Sequence, residues 1–142
     1  MELETLYQLA DENSISVHEK RLKYSRSHSM MDGSGECYIA IDPICFETTA
    51  EEKVALGHDI GHCLTGCFYS RHSPFDERRK HEHKANKKAA YTLIPLLELI
   101  DVLDSPWNTV YDLSEHFGVT EQFMRKALSI YEYELQCAAV SY

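Results

Sequence analysis

The chain has 142 residues, 44% hydrophobic and 26% charged, which is ordinary for a soluble globular protein and long enough to bury a core. No apolar run approaches the roughly 20 residues that a membrane-spanning helix needs, so no membrane partner is expected. A net charge of −9 argues against general nucleic-acid binding.

The start, MELETLYQLADEN, is acidic and amphipathic. A secretory signal has a basic start and an apolar centre, so a cytoplasmic location is expected. Leu3, Leu6, Tyr7 and Ala10 recur at helical spacing and predict a short helix over residues 2–12. Residues 15–28 read as extended or irregular. In MMDGSGECYIAIDP, Gly33 and Gly35 predict a turn and Cys37 to Ile41 a strand that Pro43 ends.

Next comes ETTAEEKVALGHDIGHCLTGC. Thr49 with Glu52 three residues later matches a capping box, which places a helix start at Thr49. Gly57 and Gly61 then stand inside the helix, each costing about 1 kcal/mol relative to alanine. Close approach by another element is the natural compensation. Residues 67–76 predict a loop around Pro74, and a second long helix is expected from about Glu77 to Ile94, stopped by Pro95. LLELIDVLD predicts a further helix. VYDLSEHFGVTEQFMRKALSIYEYEL splits at Gly118-Val119-Thr120 into a short helix and a longer one capped by Thr120.

The five cysteines, Cys37, Cys45, Cys63, Cys67 and Cys137, cannot all pair, and their spacing is no disulfide framework; reduced thiols are expected. Residues 71–88 carry seven Lys/Arg against three acidic residues, a local +4 in an otherwise acidic chain. Such a strip suits an acidic partner or a solvated helix face.

His58 and His62 stand one helical turn apart on one face, so their imidazoles can converge on one zinc ion. The spacing alone has many false positives. Asp59, about 100° round the helix from His58, lies at the edge of that face. A catalytic zinc needs a third protein ligand, and His81, Glu82 and His83 on the next helix are candidates. Glu82 shares a face with Ala85, Asn86, Ala89 and Leu93, a small and apolar stripe that predicts the packing side. Helical phase therefore favours Glu82, with His81 and His83 in reserve. Gly57 and Gly61 would let this second helix approach the first. Cys63 and Cys67 lie about 140° and 180° from His58 and are expected in the core. His72 belongs to the loop before the second helix and is expected exposed.

VALGHDIGHCL followed by EHKANKKAAYTLIP resembles the ImmA/IrrE family of metallopeptidases, which carry a segment like AHElGH and a later helix like E-x-x-A-N-x-x-A-x-x-L. The resemblance covers roughly residues 5–130. It implies an α+β, zincin-like fold, mainly helical, with a small β-sheet beside the active-site helix. Residues 1–142 then form one such domain, with the helices from about 96 packing on it. The implied chemistry is zinc-dependent hydrolysis of a peptide bond in a specific regulatory protein, such as the repressor of a phage or mobile element. Residue by residue, His58, His62 and Glu82 match the metal ligands and Asp59 the general base. The family has glutamate where this chain has Asp59. Aspartate keeps the acid–base chemistry and the ligand set but loses one methylene of reach. A catalytically weak scaffold that binds a regulator is therefore the alternative reading.

The segment LSEHFGVTEQFMRKAL also reads as a DNA-binding helix-turn-helix. Its second helix has only Arg125 and Lys126 as cations near its start, too few for the phosphate contacts that dominate such affinity, so this is the weaker reading. Leu113, Phe117, Val119, Phe123, Met124 and Leu128 are expected to pack.

Overall fold

Helix α1 (Leu3–Glu12) opens the chain in the computed structural model, which describes residues 1–70 and 72–140. Its apolar face buries Leu6 and Ala10 completely. Strands β1 (Ile15–Glu19), β2 (Ser27–Met31) and β3 (Cys37–Ile41) form one mixed sheet in the order β1-β3-β2. β1 runs parallel to β3, pairing Val17 with Ile39, and β2 runs antiparallel to it, pairing Ser27 with Ile41. β3 alternates as a strand must when one face meets a core: Cys37, Ile39 and Ile41 are buried, and Tyr38 and Ala40 are less so. β1 and β2 are the two edge strands, and β2 packs beside the next helix.

Asp42, 1% exposed, closes the turn after β3. Its carboxylate accepts from the Leu22 amide at 2.9 Å and meets the Arg21 guanidinium at 3.5 Å. The Leu22 amide above all holds its pKa below the usual carboxylate range.

Helix α2 (Thr49–Thr65) starts where the sequence places it, but Thr48, not Thr49, supplies the cap. The Thr48 hydroxyl accepts from the Glu51 amide at 3.2 Å, while Glu52 accepts from the Tyr7 hydroxyl of α1. Two adjacent threonines and two adjacent glutamates make the capping pattern fit in either register, and the tertiary bond from Tyr7 draws Glu52 away. Helix α3 (Phe75–Leu93) crosses α2 and stops before Pro95. Its inward stripe is as expected: Ala85, Ala89 and Leu93 are fully buried.

Helices α4 (Leu96–Leu103), α5 (Val110–Phe117) and α6 (Glu121–Val140) complete the described chain. α5 has a full capping box from Thr109 and Asp112 and ends at Gly118, which adopts the left-handed backbone (φ 64°) that glycine takes without strain. The Thr120 hydroxyl accepts from the Phe123 amide and caps α6. Leu113, Phe117, Val119, Phe123 and Met124 are buried and Leu128 partly so, as packing residues. Lys53, 5% exposed, reaches from α2 to donate to the Phe117 carbonyl at 2.6 Å, placing a cation at the negative end of α5. The Tyr131 hydroxyl donates to the Ile94 carbonyl and ties α6 to the end of α3.

The cysteines are not all reduced thiols, contrary to what their spacing predicts. Cys37 and Cys63 form a disulfide between the start of β3 and α2, with Cα atoms 5.9 Å apart. The helical phase that turns Cys63 away from the histidines turns it towards the sheet, where Cys37 is the first inward residue of β3. Cys67 is a buried free thiol. No helix among the described residues is long and apolar enough to cross a membrane. The architecture is α+β, mainly helical, with a small sheet beside α2, consistent with a zincin-like fold.

Candidate metal centre

α2 presents His58 and His62 on one face, and the crossing of α3 brings Glu82 to both. His58 Nε2 lies 2.9 Å from Glu82 Oε2, and His62 Nε2 lies 3.2 Å from Glu82 Oε1. The two Nε2 atoms are 3.1 Å apart. Among the described residues, these three form the group able to hold a metal ion. Ligands bound to zinc at about 2.0–2.1 Å in a tetrahedron stand roughly 3.3 Å from one another. The two Nε2 atoms stand close to that separation, and the carboxylate sets one of its oxygens at a similar distance from each.

The surrounding groups orient the three donors. His58 Nδ1 is 2.9 Å from the Asn86 side-chain oxygen, and His62 Nδ1 is 2.5 Å from the Cys67 carbonyl. Both partners are acceptors, so both Nδ1 atoms carry the proton, and both Nε2 lone pairs face the carboxylate. Metal-binding histidines are held this way by a second hydrogen bond. Lone pairs and a carboxylate facing one another repel unless a cation stands among them, so the donor set fits a metal ion. Without one, a proton substitutes. Burial pulls the pKa of His62 down, but hydrogen bonds to Glu82 and the Cys67 carbonyl outweigh it and the pKa is raised. The hydrogen bonds from His58 and His62 drive the Glu82 pKa far below the usual carboxylate range.

Asp59 lies beside the triangle and is 6% exposed. Its Oδ2 is buried without a hydrogen-bond partner. Burial raises its pKa, opposed by the neighbouring Ser27 side chain of β2 and by His58 and His62. All four residues line a cleft of about 590 Å³, walled by β2 on one side and by Gln122, Phe123 and Lys126 of α6 on another. The other candidate histidines stay outside the triangle: His81 stacks on Tyr69 and meets Glu77 at 3.7 Å, and His83 and His72 are exposed.

Two contributors escaped the reading of the sequence. Asn86 appears there as part of a packing stripe and of the family-like E-x-x-A-N pattern, with no role at His58, although its place one turn after Glu82 on the same face was a usable signal. Tyr69 donates to Glu82 Oε1 at 2.6 Å, which pushes its own pKa up to about 12. It comes from an irregular loop, where no periodicity marks it.

Two histidines one turn apart, an acid between them, a carboxylate from a crossing helix and a small sheet alongside make a metallo-endopeptidase-like active site of the zincin kind. Residues 45–129 match the family model described as the IrrE N-terminal-like domain, peptidase M78. That stretch is more than half of the chain and holds the whole triangle; the chain belongs to this family. No curated protein and no solved structure matches it.

Proposed function

We propose that the protein is a zinc-dependent endopeptidase, with His58, His62 and Glu82 as ligands and Asp59 as general base. One observation carries this reading: three converging acceptors stand beside a buried Asp59 oxygen that has no partner. A bound zinc ion supplies Lewis-acid polarisation of the peptide carbonyl and acidifies the attacking water. Asp59 takes the proton of that water and returns it to the leaving amine. Its burial favours the protonated form and brings its pKa closer to that task. The edge strand β2 borders the cleft and offers backbone groups to an extended substrate. His58 and His62 are held in one tautomer by Asn86 and Cys67, so little reorganisation precedes reaction.

The substrate in this reading is a specific regulatory protein, the repressor of a phage or mobile element, cleaved in the cytoplasm by a chain that forms one zincin-like domain. The resemblance to the ImmA/IrrE family supports the substrate class. The second reading, a scaffold that binds a regulator without cutting it, draws on Asp59, whose short side chain sits against Ser27 of β2. Incubation of the zinc-loaded protein with purified phage-type repressors separates the two. Cleavage that Asp59→Asn abolishes, with metal retained, supports the enzyme. Binding without cleavage supports the scaffold.

A further inference from the structure

A second groove of about 950 Å³ lies between α3 and α6. Tyr69, Glu82, Asn86 and Lys126 line both it and the cleft over the metal centre, so the two adjoin. Buried Ile130 forms part of its lining, and Phe75 and Tyr133 stand on it 64% and 67% exposed. Large aromatic side chains left in water beside an apolar floor mark a contact surface.

The groove is also cationic. It collects Arg78, Arg79, Lys80 and Lys87 from α3 and Lys126 from α6. Of its three acids, Glu82 is held by the imidazoles and Glu134 by Lys87 and the Tyr91 hydroxyl, while Asp76 is exposed and in no ion pair among the described residues, so five cations face three acids. Arg79, Lys80 and Lys126 form no ion pair among the described residues. Arg78 and Arg79 lie over the Phe75 ring at 6.0 and 5.7 Å, so cations and the aromatic face act at one place. This strip has the opposite sign to the rest of a chain of net charge −9.

We propose that the groove receives the part of the protein substrate that flanks the scissile bond, and that this part is acidic with large apolar side chains. The proposal rests on the peptidase reading for what happens at the metal, but not for the binding itself. Carboxylates answer the unpaired cations, and apolar side chains answer Ile130, Phe75 and Tyr133. A nucleic acid would use the cations, leave the apolar lining unanswered and meet the acidic remainder of the chain.

The test is binding, which needs no turnover. The probes are a fluorescein-labelled peptide of alternating Glu and Leu and its Lys-for-Glu counterpart, at low salt, read by anisotropy. The zinc-loaded protein is expected to bind the Glu peptide about tenfold or more tighter, and added salt should erode the difference. Arg79→Glu with Lys80→Glu, both exposed, should remove the preference without changing metal content, and Phe75→Ser should weaken binding of the Glu peptide. Equal binding of the two peptides overturns the proposal, as does a preference that survives the charge reversals. Duplex DNA that displaces the Glu peptide and loses affinity with the same reversals gives the groove to nucleic acid and overturns it too. A protein that binds the Glu peptide but cuts nothing supports the groove and counts only against peptidase activity.

Discussion

Gly61 and Ala85 meet backbone to backbone: a Cβ built on Gly61 would lie 2.5 Å from the Ala85 carbonyl oxygen. Ala85 is three residues after Glu82, so this contact sets how near the carboxylate comes to the histidines. Gly57 is different, because its Cβ would meet the Leu93 side chain at 2.8 Å, and a side chain can turn. Gly61→Ala should therefore destabilise the fold by roughly 1–3 kcal/mol and weaken metal binding. Gly57→Ala should cost less, since alanine regains up to about 1 kcal/mol of helix propensity. Urea unfolding of the two variants checks the order; equal losses would contradict it.

Asn86 fixes the His58 ring through its side-chain oxygen. Asn86→Ala should leave the helix intact and reduce metal affinity about 10- to 100-fold, the usual cost of losing such support. Chelator competition measures it. Unchanged affinity would mean that His58 is held by packing alone.

The metal-free protein should show a distinctive pH dependence. Glu82 has a depressed pKa, so its contribution is present above the unfolded carboxylate value, about 4.3, and is lost as pH falls through the lower folded value. His62 has a raised pKa, so its contribution is full below the unfolded value, about 6.5, and is lost as pH rises through the folded value. The pair thus supports the apo fold best between about pH 4.3 and 6.5. The stability difference between wild type and Glu82→Gln should be larger at about pH 5.5 than at pH 8. The reverse order would show that the imidazole and carboxylate do not pair.

The Cys37–Cys63 bond closes a loop of 26 residues that includes all but the last two residues of α2. Closing a loop of that length restricts the unfolded chain by about 3 kcal/mol. Reduction, or Cys37→Ser with Cys63→Ser, should lower the melting temperature while the metal ligands stay in place. Thermal melts with and without reductant test this, with the serine variant insensitive to reductant. In a cytoplasmic setting the bond would face a reducing pool.

Much of the site was legible because it depends on helical phase. The spacing of His58 and His62, and the stripe of Glu82, Ala85, Ala89 and Leu93, each follow from 3.6 residues per turn, and two glycines in one helix betrayed the crossing. β3 was legible to the residue, since alternation over Cys37–Ile41 sits between a glycine turn and Pro43. β1 and β2 were not, because HSMM and SVHE carry little apolar alternation of their own and are defined by pairing with β3. The disulfide escaped for the same reason: only the packing of α2 on the sheet brings Cys63 to Cys37. Nothing in the sequence marks Lys53 or Asp42 for burial, which depends on a distant carbonyl and a distant amide.

The most direct test of the three-ligand centre is metal analysis of the purified protein beside His58→Ala and Glu82→Ala, with folding checked by circular dichroism. Wild type should carry close to one equivalent of zinc, and each folded variant should lose most of it. Wild type that takes up no divalent metal, or variants that retain it in full, would contradict the assignment of His58, His62 and Glu82 to a metal ion.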